Sequence, residues 1–460
     1  MRPFEIALVL VLFTCSIYLL TPTRSEVIWF RWLALAAILL CAAHLYLEGA
    51  RWQMGPAYLL VLAVVVVACT TMKLPAWSSY AAGIAASGLT CAAVALATFL
   101  PVFSLPSPAG PYRIGTQTRY LVDRGRQEPF DRSAPRPREL AIQIWYPADL
   151  AARGPVAQYR EPAITTVRNA RFSLVRTHAV VDAPFERSSE RHPVLVYAPS
   201  WVGIRTENTV LIEHLASHGY VVVAIDHPYG SALTAFPDGR RIETKLTNLD
   251  AYASAQSFAS FIDIATTQLK VRADDAKFVL ETLEHLDADD PKRLLTGRLD
   301  LQRAGIFGFS FGGGVALQAC WLDPRFKAGV DIDGMILAES AKEGTASPFL
   351  FILSDAEPQI DDPDIRTRNE AIFDELQLKQ MKQLVSARHA QLLTVPRARH
   401  NNFNDAPFYA PLPVGSEIAA LDANGTAATL GRYVLAFFDR SLKQVHDPAS
   451  EELFGRRRVP

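Results

Sequence analysis

The amino-acid sequence predicts an α/β fold, a mostly parallel β-sheet with helices on both faces, preceded by an N-terminal bundle of about four transmembrane helices. Three observations support this prediction. Four long apolar runs occupy about the first hundred residues. Short β-branched runs then alternate with amphipathic stretches, the pattern of parallel strands covered by helices. A Gly-x-Ser-x-Gly turn, Gly308–Gly312, joins one such strand to the helix that follows it.

The four apolar runs are candidates for transmembrane helices, which need about 20 mostly apolar residues. They are Ile6–Leu20, Trp29–Leu47, Ala57–Met72 and Ala81–Phe103, of which the second and fourth reach that length without their flanks. A cleaved signal peptide is the alternative for the first run, and four buried core helices are the alternative for all of them. Glu5 near the start, the further apolar runs and the scarcity of charge favour transmembrane helices over both alternatives.

The basic residues that flank these runs predict an orientation. An even number of spans leaves both chain ends on one side of the membrane. The flanks on that side carry Arg2, Arg51, Arg113, Arg119 and Arg124, and those on the other side carry Arg24, Lys73 and Arg31. Because cytoplasmic flanks carry the excess of basic residues, we expect a multi-pass protein whose ends face the cytoplasm and whose partner is the bilayer.

Composition argues against several classes of partner. The formal net charge of -1 gives no reason to expect a nucleic-acid ligand. The five cysteines show neither a disulfide framework nor paired metal-ligand spacing. We therefore expect no metal ion and no organic cofactor, and the sequence leaves the oligomeric state open.

The sequence divides into a transmembrane region (residues 1–104), a linker and leading segment (105–138), an α/β domain (139–445) and a tail (446–460). The predicted strands are Glu139–Ala148, His192–Ser200, Tyr220–Pro228, Arg303–Ser310, Lys327–Gly334, Pro348–Asp355 and Leu392–Ala398. The predicted helices are Thr206–Gly219, Ile262–Leu286, Phe311–Leu322 and Thr429–Lys443. We expect Thr206 to cap the first of these helices.

Ser310 lies at the centre of the Gly-x-Ser-x-Gly turn, in the strand–turn–helix context that such a nucleophile requires. A serine hydroxyl becomes a good nucleophile when an adjacent base removes its proton. Gly308 and Gly312 lack Cβ atoms, so the strand and the helix can pack closely around a strained turn. We therefore predict that Ser310 is a nucleophile rather than a serine in a structural glycine turn.

The order serine, acid, histidine, which accompanies this turn in α/β-hydrolases, requires the base to follow Ser310. Three histidines do so: His389, His400 and His446. His389 lies in a charged helical stretch, and His446 lies in the tail. His400 closely follows a predicted strand and begins a loop, which is where such a base belongs, so we predict that His400 is the general base.

The residues alone leave the acid open. Asp331 and Asp333 end the strand after the nucleophile helix, and Asp333, next to the turn at Gly334, is the better placed of the two. Asp355 ends the following strand, where many α/β-hydrolases carry their acid. Asp333 and Asp355 therefore remain alternatives for the group that orients the histidine and stabilises its protonated form.

Two backbone N–H groups are expected to bind the oxyanion. One belongs to Phe311, the residue after the nucleophile, and the other to the loop after an early strand, Ala198–Gly203. Trp201 is the candidate donor in that loop. Its ring is also suited to form an apolar wall of the acyl pocket.

Several segments together resemble the plasma-type (isoform II) platelet-activating-factor acetylhydrolase family, calcium-independent serine lipases with an α/β-hydrolase fold. The segments are GPYRIGTQTRYLVD with PRELAIQIWYPA, WVGIRTENTVLIEHLASHGYVVVAIDHPYGSA, GFSFGGG, FKAGVDIDGM and ARHNNFND. The resemblance extends from about Gly110 to Lys443 and leaves out the apolar runs. It implies that the acid comes from the strand after the nucleophile helix, and so favours Asp333 over Asp355.

The resemblance assigns roles to five positions. They are Ser310, Asp333 and His400 as the catalytic triad, and Trp201 and Phe311 as the oxyanion donors. Two departures from the family pattern concern substrate preference. Pro199 and Ser200 stand where the family often has His-Gly, and Phe309 stands where it often has histidine before the nucleophile.

Together, the apolar runs and the predicted triad indicate a membrane-anchored serine esterase that works through an acyl-enzyme. The resemblance implies that it removes short or oxidised acyl groups from the second position of phospholipids. A general carboxylesterase or polyester hydrolase is the alternative with the same chemistry. A non-catalytic membrane receptor or scaffold is the alternative from another class. The complete set of serine, acid and histidine argues against a scaffold, and the scarcity of charge in the apolar runs argues against a transporter.

Overall fold

The computed structural model of the chain describes residues 2–21, 27–69, 76–99, 102–131, 133, 135–246, 254–355, 364–387, 390–410, 418–419 and 421–445. The predictions for His389 and for the tail with His446 lie outside these residues. The chain forms two compact units, one made of residues 1–103 with 409–412 and the other made of the rest.

In its described residues, the first unit contains four α-helices, one for each apolar run. They are α1 (Pro3–Leu20), α2 (Val27–Ala43), α3 (Gly55–Cys69) and α4 (Ala76–Phe99). A π-helical turn, His44–Glu48, extends α2, and a 3₁₀ turn, Trp52–Met54, precedes α3. With these extensions every helical stretch has at least 18 residues, so all four are long and apolar enough to cross a membrane.

Large apolar side chains cover the outside of these helices. Leu10, Leu39, Leu62 and Ile84, one from each helix, are 60%, 61%, 64% and 67% exposed. Apolar surface of this kind is unfavourable in water, and a contiguous patch normally faces a partner or a lipid. The exposure fits helices that face lipid better than it fits the helices of a buried core.

Polar side chains near the ends of the same helices bind one another. Arg51 donates to Glu5 over 2.9 Å. His44 lies 2.9 Å from Glu48 and 2.8 Å from the hydroxyl of Tyr58. Ionisable groups in membrane segments commonly pair in this way, so these contacts are compatible with a bundle that crosses the bilayer.

The second unit is built on a ten-stranded sheet. The strands of the described residues are β1 (Arg113–Gln127), β2 (Pro137–Ala148), β3 (Val156–Gln158), β4 (Arg176–Val181), β5 (His192–Ala198), β6 (Val221–Asp226), β7 (Leu233–Ala235), β8 (Arg241–Glu243), β9 (Leu299–Phe309), β10 (Phe326–Ile332), β11 (Phe349–Leu353) and β12 (Ala390–Thr394). Strands β7 and β8 form a separate two-stranded antiparallel sheet.

The strands of the large sheet lie in the order β12-β11-β10-β9-β5-β6-β2-β1-β4-β3. From β12 to β6 all neighbours are parallel, and β2 runs antiparallel to both β6 and β1. The chain passes from β5 to β6 in one direction and later places β9 on the other side of β5. Open α/β sheets bind ligands at the carboxyl ends of strands where the order reverses in this way. The predicted α/β fold with a mostly parallel sheet is confirmed.

Helices cover both faces of the sheet. Those that follow the first unit are α5 (Thr209–Ser217), α6 (Ala255–Ala288), α7 (Phe311–Leu322), α8 (Ser340–Glu343), α9 (Ile365–Ala387), α10 (Ala406–Tyr409) and α11 (Ala423–Phe438). One core contains Val194 and Val196 of β5 with residues of α6, α7 and α9. The opposite core contains Leu195 and Tyr197 with residues of α5 and α11. Alternate side chains of β5 thus enter different cores, as expected for a strand buried on both faces.

The start of α5 differs from the prediction. The helix begins at Thr209, after Asn208, and Thr206 is not its cap. Instead, the carboxylate of Asp405 accepts hydrogen bonds from the N–H groups of Thr209 at 2.8 Å and Val210 at 3.3 Å. The capping group comes from a residue far along the chain, so local sequence gives no sign of it.

Strand β1 lies within residues 105–138, which the sequence analysis assigned to a linker and leading segment. It pairs with β2 from Arg113 opposite Ala148 to Asp123 opposite Arg138. Its sequence, RIGTQTRYLVDRGRQ, contains no long apolar run, and several of its side chains are exposed. The hydrophobic pattern therefore gives less sign of this strand than of the buried parallel strands.

Candidate active site

Ser310 occupies the turn between β9 and α7. Its backbone has φ 56° and ψ -125°, an unfavourable conformation for a residue other than glycine. Its N–H donates to the carbonyl oxygen of Ile332 over 2.8 Å, which fixes the turn against β10. A Cβ atom at Gly308 would overlap the backbone of Gly312, and one at Gly312 would overlap the carbonyl oxygen of Ala198. The two glycines therefore let β9, α7 and the end of β5 pack tightly around the serine.

His400 begins a 3₁₀ turn, His400–Phe403, after β12. Its Nε2 lies 3.0 Å from Oγ of Ser310, and its Nδ1 lies 2.8 Å from Oδ2 of Asp333. With the proton on Nδ1, the ring donates to Asp333, and Nε2 accepts from the serine hydroxyl. The structure thus brings three of the predicted residues into one hydrogen-bonded line. Such a line allows an imidazole to take the proton of a serine that attacks an ester.

Asp333 is fixed in place by its own contacts. Its N–H donates to the carbonyl oxygen of Ile352 over 2.7 Å, and its Oδ1 accepts from the N–H of Ser354 over 2.7 Å. One carboxylate oxygen is therefore held by the end of β11, and the other faces His400. This arrangement sets the orientation of the imidazole ring.

The other two aspartates of the sequence analysis have different surroundings. Asp355 is exposed, and its carboxylate accepts from the N–H of Arg397 over 2.8 Å. Asp331 is buried against Gly313 of α7 and accepts from the N–H of Gly334 over 2.8 Å. Burial raises the pKa of Asp331 well above its usual value. These contacts tie both side chains to backbone groups of nearby turns.

Phe309 packs against the imidazole ring. The centroids of the Phe309 and His400 rings are 4.8 Å apart, and Phe309 is only 2% exposed. The residue that departs from the family pattern therefore contributes an apolar surface beside the ring of His400. A contact of this kind restricts the orientation of the imidazole without changing the order of its hydrogen bonds.

Trp201 and Phe311 lie at the carboxyl ends of two paired strands. Trp201 is in the loop after β5, Phe311 begins α7 after β9, and Ala198 of β5 pairs with Gly308 of β9. Within the part of the chain that the structure describes, the backbone N–H groups of Trp201 and Phe311 bond to no acceptor. These two predicted donors are therefore available to a negatively charged oxygen.

The side chains around these donors are mostly apolar. The rings of Trp201 and Phe311 meet edge to face at 4.8 Å, and the ring of Phe261 lies 5.5 Å from that of Trp201. Met335 and Leu337 belong to the same cluster. Trp201 thus also contributes to an apolar wall, the second role that the sequence suggested for its ring.

Two charged residues that the sequence analysis did not single out hold the loop that carries Trp201. The carboxylate of Glu207 accepts from the N–H of Ser200 at 2.5 Å and from its hydroxyl at 2.8 Å. Arg272 of α6 donates to the carbonyl oxygens of Ser200 at 2.9 Å and Trp201 at 2.6 Å. Arg272 lies on the buried side of an amphipathic helix, and a charge at such a position is the signal that could have identified it.

Comparison with known proteins identifies the family. The family model described as "Platelet-activating factor acetylhydrolase, isoform II" matches residues 103–450. The chain belongs to this family. A "Probable 1-alkyl-2-acetylglycerophosphocholine esterase" of Arthroderma benhamiae is 25% identical over 405 residues, which cover 80% of this chain and 94% of that enzyme.

A further member and a solved structure agree with this assignment. The platelet-activating factor acetylhydrolase of Canis lupus familiaris is 25% identical over 289 residues, and the match spans 59% of this chain and 62% of that enzyme. A ferulic acid esterase from Streptomyces cinnamoneus has a similar structure, with a TM-score of 0.60 and 29% identity over 78% of this chain and 97% of its own. The predictions of this family and of a carboxylic ester hydrolase are confirmed. The large, mostly parallel sheet fits an α/β-hydrolase.

Proposed function

We propose that this family member is a membrane-anchored serine esterase that hydrolyses carboxylic esters of phospholipids, with Ser310, His400 and Asp333 as its catalytic triad. One observation carries the proposal. It is the hydrogen-bonded line from Oγ of Ser310 through His400 to Asp333, built at the ends of neighbouring strands. Membership of the acetylhydrolase family supports the phospholipid as the ester.

In the first half of the reaction, Oγ of Ser310 attacks the carbonyl carbon of the ester while Nε2 of His400 takes the hydroxyl proton. Asp333 keeps the imidazole in the required tautomer and stabilises the imidazolium. The N–H groups of Trp201 and Phe311 bind the negative charge that develops on the carbonyl oxygen. His400 then gives the proton to the leaving alcohol as the C–O bond breaks, and the acyl group stays on Ser310.

In the second half, water attacks the acyl carbonyl and His400 takes its proton. The same two N–H groups bind the second oxyanion. When this intermediate collapses, the carboxylic acid leaves and the proton returns from His400 to Oγ of Ser310. The triad is thereby restored.

The proposed acyl group is short or oxidised and sits at the second position of the phospholipid. The name of the Arthroderma relative specifies a 2-acetyl glycerophosphocholine, and the dog relative is named for platelet-activating factor. The apolar cluster around Trp201 and Phe261 offers a surface on which such a chain can pack.

An acyl-length series tests this substrate class. Full-length protein in detergent micelles is given glycerophosphocholines with an acetyl, butanoyl, octanoyl or palmitoyl group at the second position, and the Ser310→Ala variant serves as the blank. We expect kcat/KM to fall by at least about tenfold from acetyl to palmitoyl, because a pocket that fits a short chain excludes added methylenes. Equal values across the series, or a preference for palmitoyl, would contradict the assignment.

A general carboxylesterase is the second candidate. The solved structure with 29% identity is a ferulic acid esterase, and Pro199, Ser200 and Phe309 depart from the family pattern beside the proposed site. A kcat/KM for methyl ferulate above that for the acetyl phospholipid would favour this candidate. The reverse order would favour the phospholipid.

We also propose that α1 to α4 anchor the enzyme in the bilayer, with the hydrolase unit on the cytoplasmic side. Their length, their apolar composition and the exposed apolar side chains of each helix support the anchor. The basic flanks support the orientation. The full chain should stay in the membrane pellet after extraction with alkaline carbonate, and its release into the supernatant would contradict the anchor.

A further inference from the structure

Arg272 is a buried cation whose hydrogen bonds go to the loop beside the proposed nucleophile. Its side chain is completely buried, and in the described part of the chain no carboxylate lies within 4.0 Å of its guanidinium. Its neighbour in the same interior, Arg138, pairs instead with Glu128 and Asp275, both at 2.7 Å. The carboxylates of Asp275 and Glu207 attract the buried guanidinium of Arg272 from beyond ion-pair distance, which offsets part of the cost of burying it. Its direct hydrogen bonds go to the loop.

The guanidinium binds two successive peptide groups of the loop. One nitrogen donates to the carbonyl oxygen of Ser200 at 2.9 Å, and the other donates to that of Trp201 at 2.6 Å. The rigid fork of an arginine suits such a pair of acceptors. Because both carbonyl groups are held, the backbone rotation of Trp201, which lies between them, is fixed.

The bond to Ser200 also sets the direction of the proposed oxyanion donor. The carbonyl of Ser200 and the N–H of Trp201 belong to one peptide group, and the described chain contains no cis peptide bonds. In a trans peptide the two groups point in opposite directions. With the carbonyl of Ser200 directed at Arg272, the N–H of Trp201 points away from the guanidinium, on the opposite side of the loop.

Other contacts hold the Ser200–Trp201 peptide group and the peptide group before it. Glu207 binds the N–H and the hydroxyl of Ser200, and the N–H of Gly203 donates to the carbonyl oxygen of Ser200 over 3.1 Å. The guanidinium carbon of Arg272 also lies 4.9 Å from the centre of the Phe311 ring, so one side chain contacts both residues that carry the proposed donors. Burial lowers the pKa of Arg272 to about 9, which leaves it protonated at neutral pH.

We propose that Arg272 is a positioning residue for the oxyanion hole: it holds the Ser200–Trp201 peptide so that the N–H of Trp201 faces the developing oxyanion. This inference rests on the proposed function. Pre-oriented donors stabilise the transition state because they do not have to reorganise during the reaction. Arg272 therefore acts on the rate of acyl transfer and has little effect on the binding of the substrate.

The test compares Arg272→Lys with wild type, using full-length protein in detergent micelles and p-nitrophenyl acetate as the ester. A lysine ammonium cannot hold both carbonyl groups in the geometry of the fork. We expect kcat to fall by about 10²-fold, the effect of losing one oxyanion donor, while KM stays within about threefold. The inhibition constant of a trifluoromethyl ketone, which forms a tetrahedral adduct with the serine, should rise by the same factor as kcat/KM falls.

Gly230→Ala gives an independent variant that keeps the arginine. A Cβ atom at Gly230 would lie 2.7 Å from a terminal nitrogen of Arg272, so the alanine displaces the guanidinium from the loop. We expect the same pattern, a lower kcat with a nearly unchanged KM. Arg138→Lys is the matched control, since it makes the same substitution at a buried arginine that does not touch the loop. It should lose stability in thermal unfolding and keep its kcat.

The outcomes separate this inference from the proposed function. If wild type and Ser310→Ala hydrolyse the ester at equal rates, the proposed function itself is wrong. If the wild type depends on Ser310 and Arg272→Lys keeps its kcat, the positioning role is wrong. Equal losses of kcat in Arg138→Lys and Arg272→Lys would also overturn it, because they would show a general loosening of the interior.

Discussion

Ser310 and Asp333 share a backbone feature that places their side chains. Their φ values are 56° and 54°, in the left-handed region that residues with a Cβ atom rarely adopt. Each comes directly after a strand, and each N–H bonds to a carbonyl of the adjacent strand. Local strain of this type persists where the surrounding structure enforces it, and it is frequent at functional sites. Both side chains thereby meet His400.

The sequence predicted Ser310 as the nucleophile from the motif and His400 as the base from chain order, but its residues left Asp333 and Asp355 as alternatives for the acid. Strand alternation places Asp331 and Asp333 on one face, yet β10 ends at Ile332, so alternation no longer applies at Asp333. Only the family resemblance selected Asp333. The Gly-x-Ser-x-Gly motif signals the strained turn at Ser310, but no comparable motif signals the positive φ of Asp333.

Asp333→Asn should lower kcat by about 10⁴-fold with little change in KM, because an amide no longer holds the imidazole in the required tautomer. Asp355→Asn is the matched control, since Asp355 was the alternative acid and its carboxylate binds the N–H of Arg397. We expect it to keep its kcat. Steady-state kinetics with p-nitrophenyl acetate measures both variants, and a large loss in the Asp355 variant alone would contradict the assignment.

Helix α5 joins the two loops that carry Trp201 and His400. Besides the cap from Asp405, the side-chain amide of Asn208 donates to the carbonyl oxygen of Phe403 over 2.7 Å. The N–H of Asp405 donates to the carbonyl oxygen of Glu207 over 3.1 Å. The start of α5 thus fixes the loop of the proposed base, His400, relative to the loop of the proposed oxyanion donor, Trp201. Because these partners are almost 200 residues apart, the sequence predicted the helix but not its cap.

The packing of α5 on α11 makes the stability of the fold depend on pH. His214 of α5 lies against Gly431 of α11, and its ring is 4.4 Å from that of His218. Burial, aided by the charge of His218, lowers the pKa of His214 from 6.5 to about 4. Between these values the unfolded chain binds more protons than the folded chain, so stability falls as pH falls through this window. The difference corresponds to about 3 kcal/mol.

His214→Gln should remove this part of the pH dependence. Urea unfolding of the purified chain at pH 7.5 and pH 4.5 gives the two free energies of unfolding. We expect the difference between them to be smaller in the variant by up to about 3 kcal/mol. His285→Gln, at an exposed position of α6, is the control and should keep the wild-type difference. An unchanged difference in the His214 variant would contradict the explanation.

At the scale of the whole molecule, the proposed site lies where the order of the sheet reverses, between β5 and β9. The central strands were predictable because both of their faces are buried, which gives short runs of apolar and β-branched residues. The edge formed by β1, β4 and β3 was not, since β1 is partly exposed and β3 has only three residues. The four apolar helices were predictable from length and composition alone.

The proposed function requires that the fold assembles an activated serine at Ser310. The most direct measurement is labelling of the full-length protein in detergent micelles with a fluorophosphonate probe, with wild type beside Ser310→Ala and mass spectrometry of the labelled peptide. We expect rapid labelling of the wild type at Ser310 and none in the variant. A folded wild type that fails to react, or a label that persists in Ser310→Ala, would contradict it.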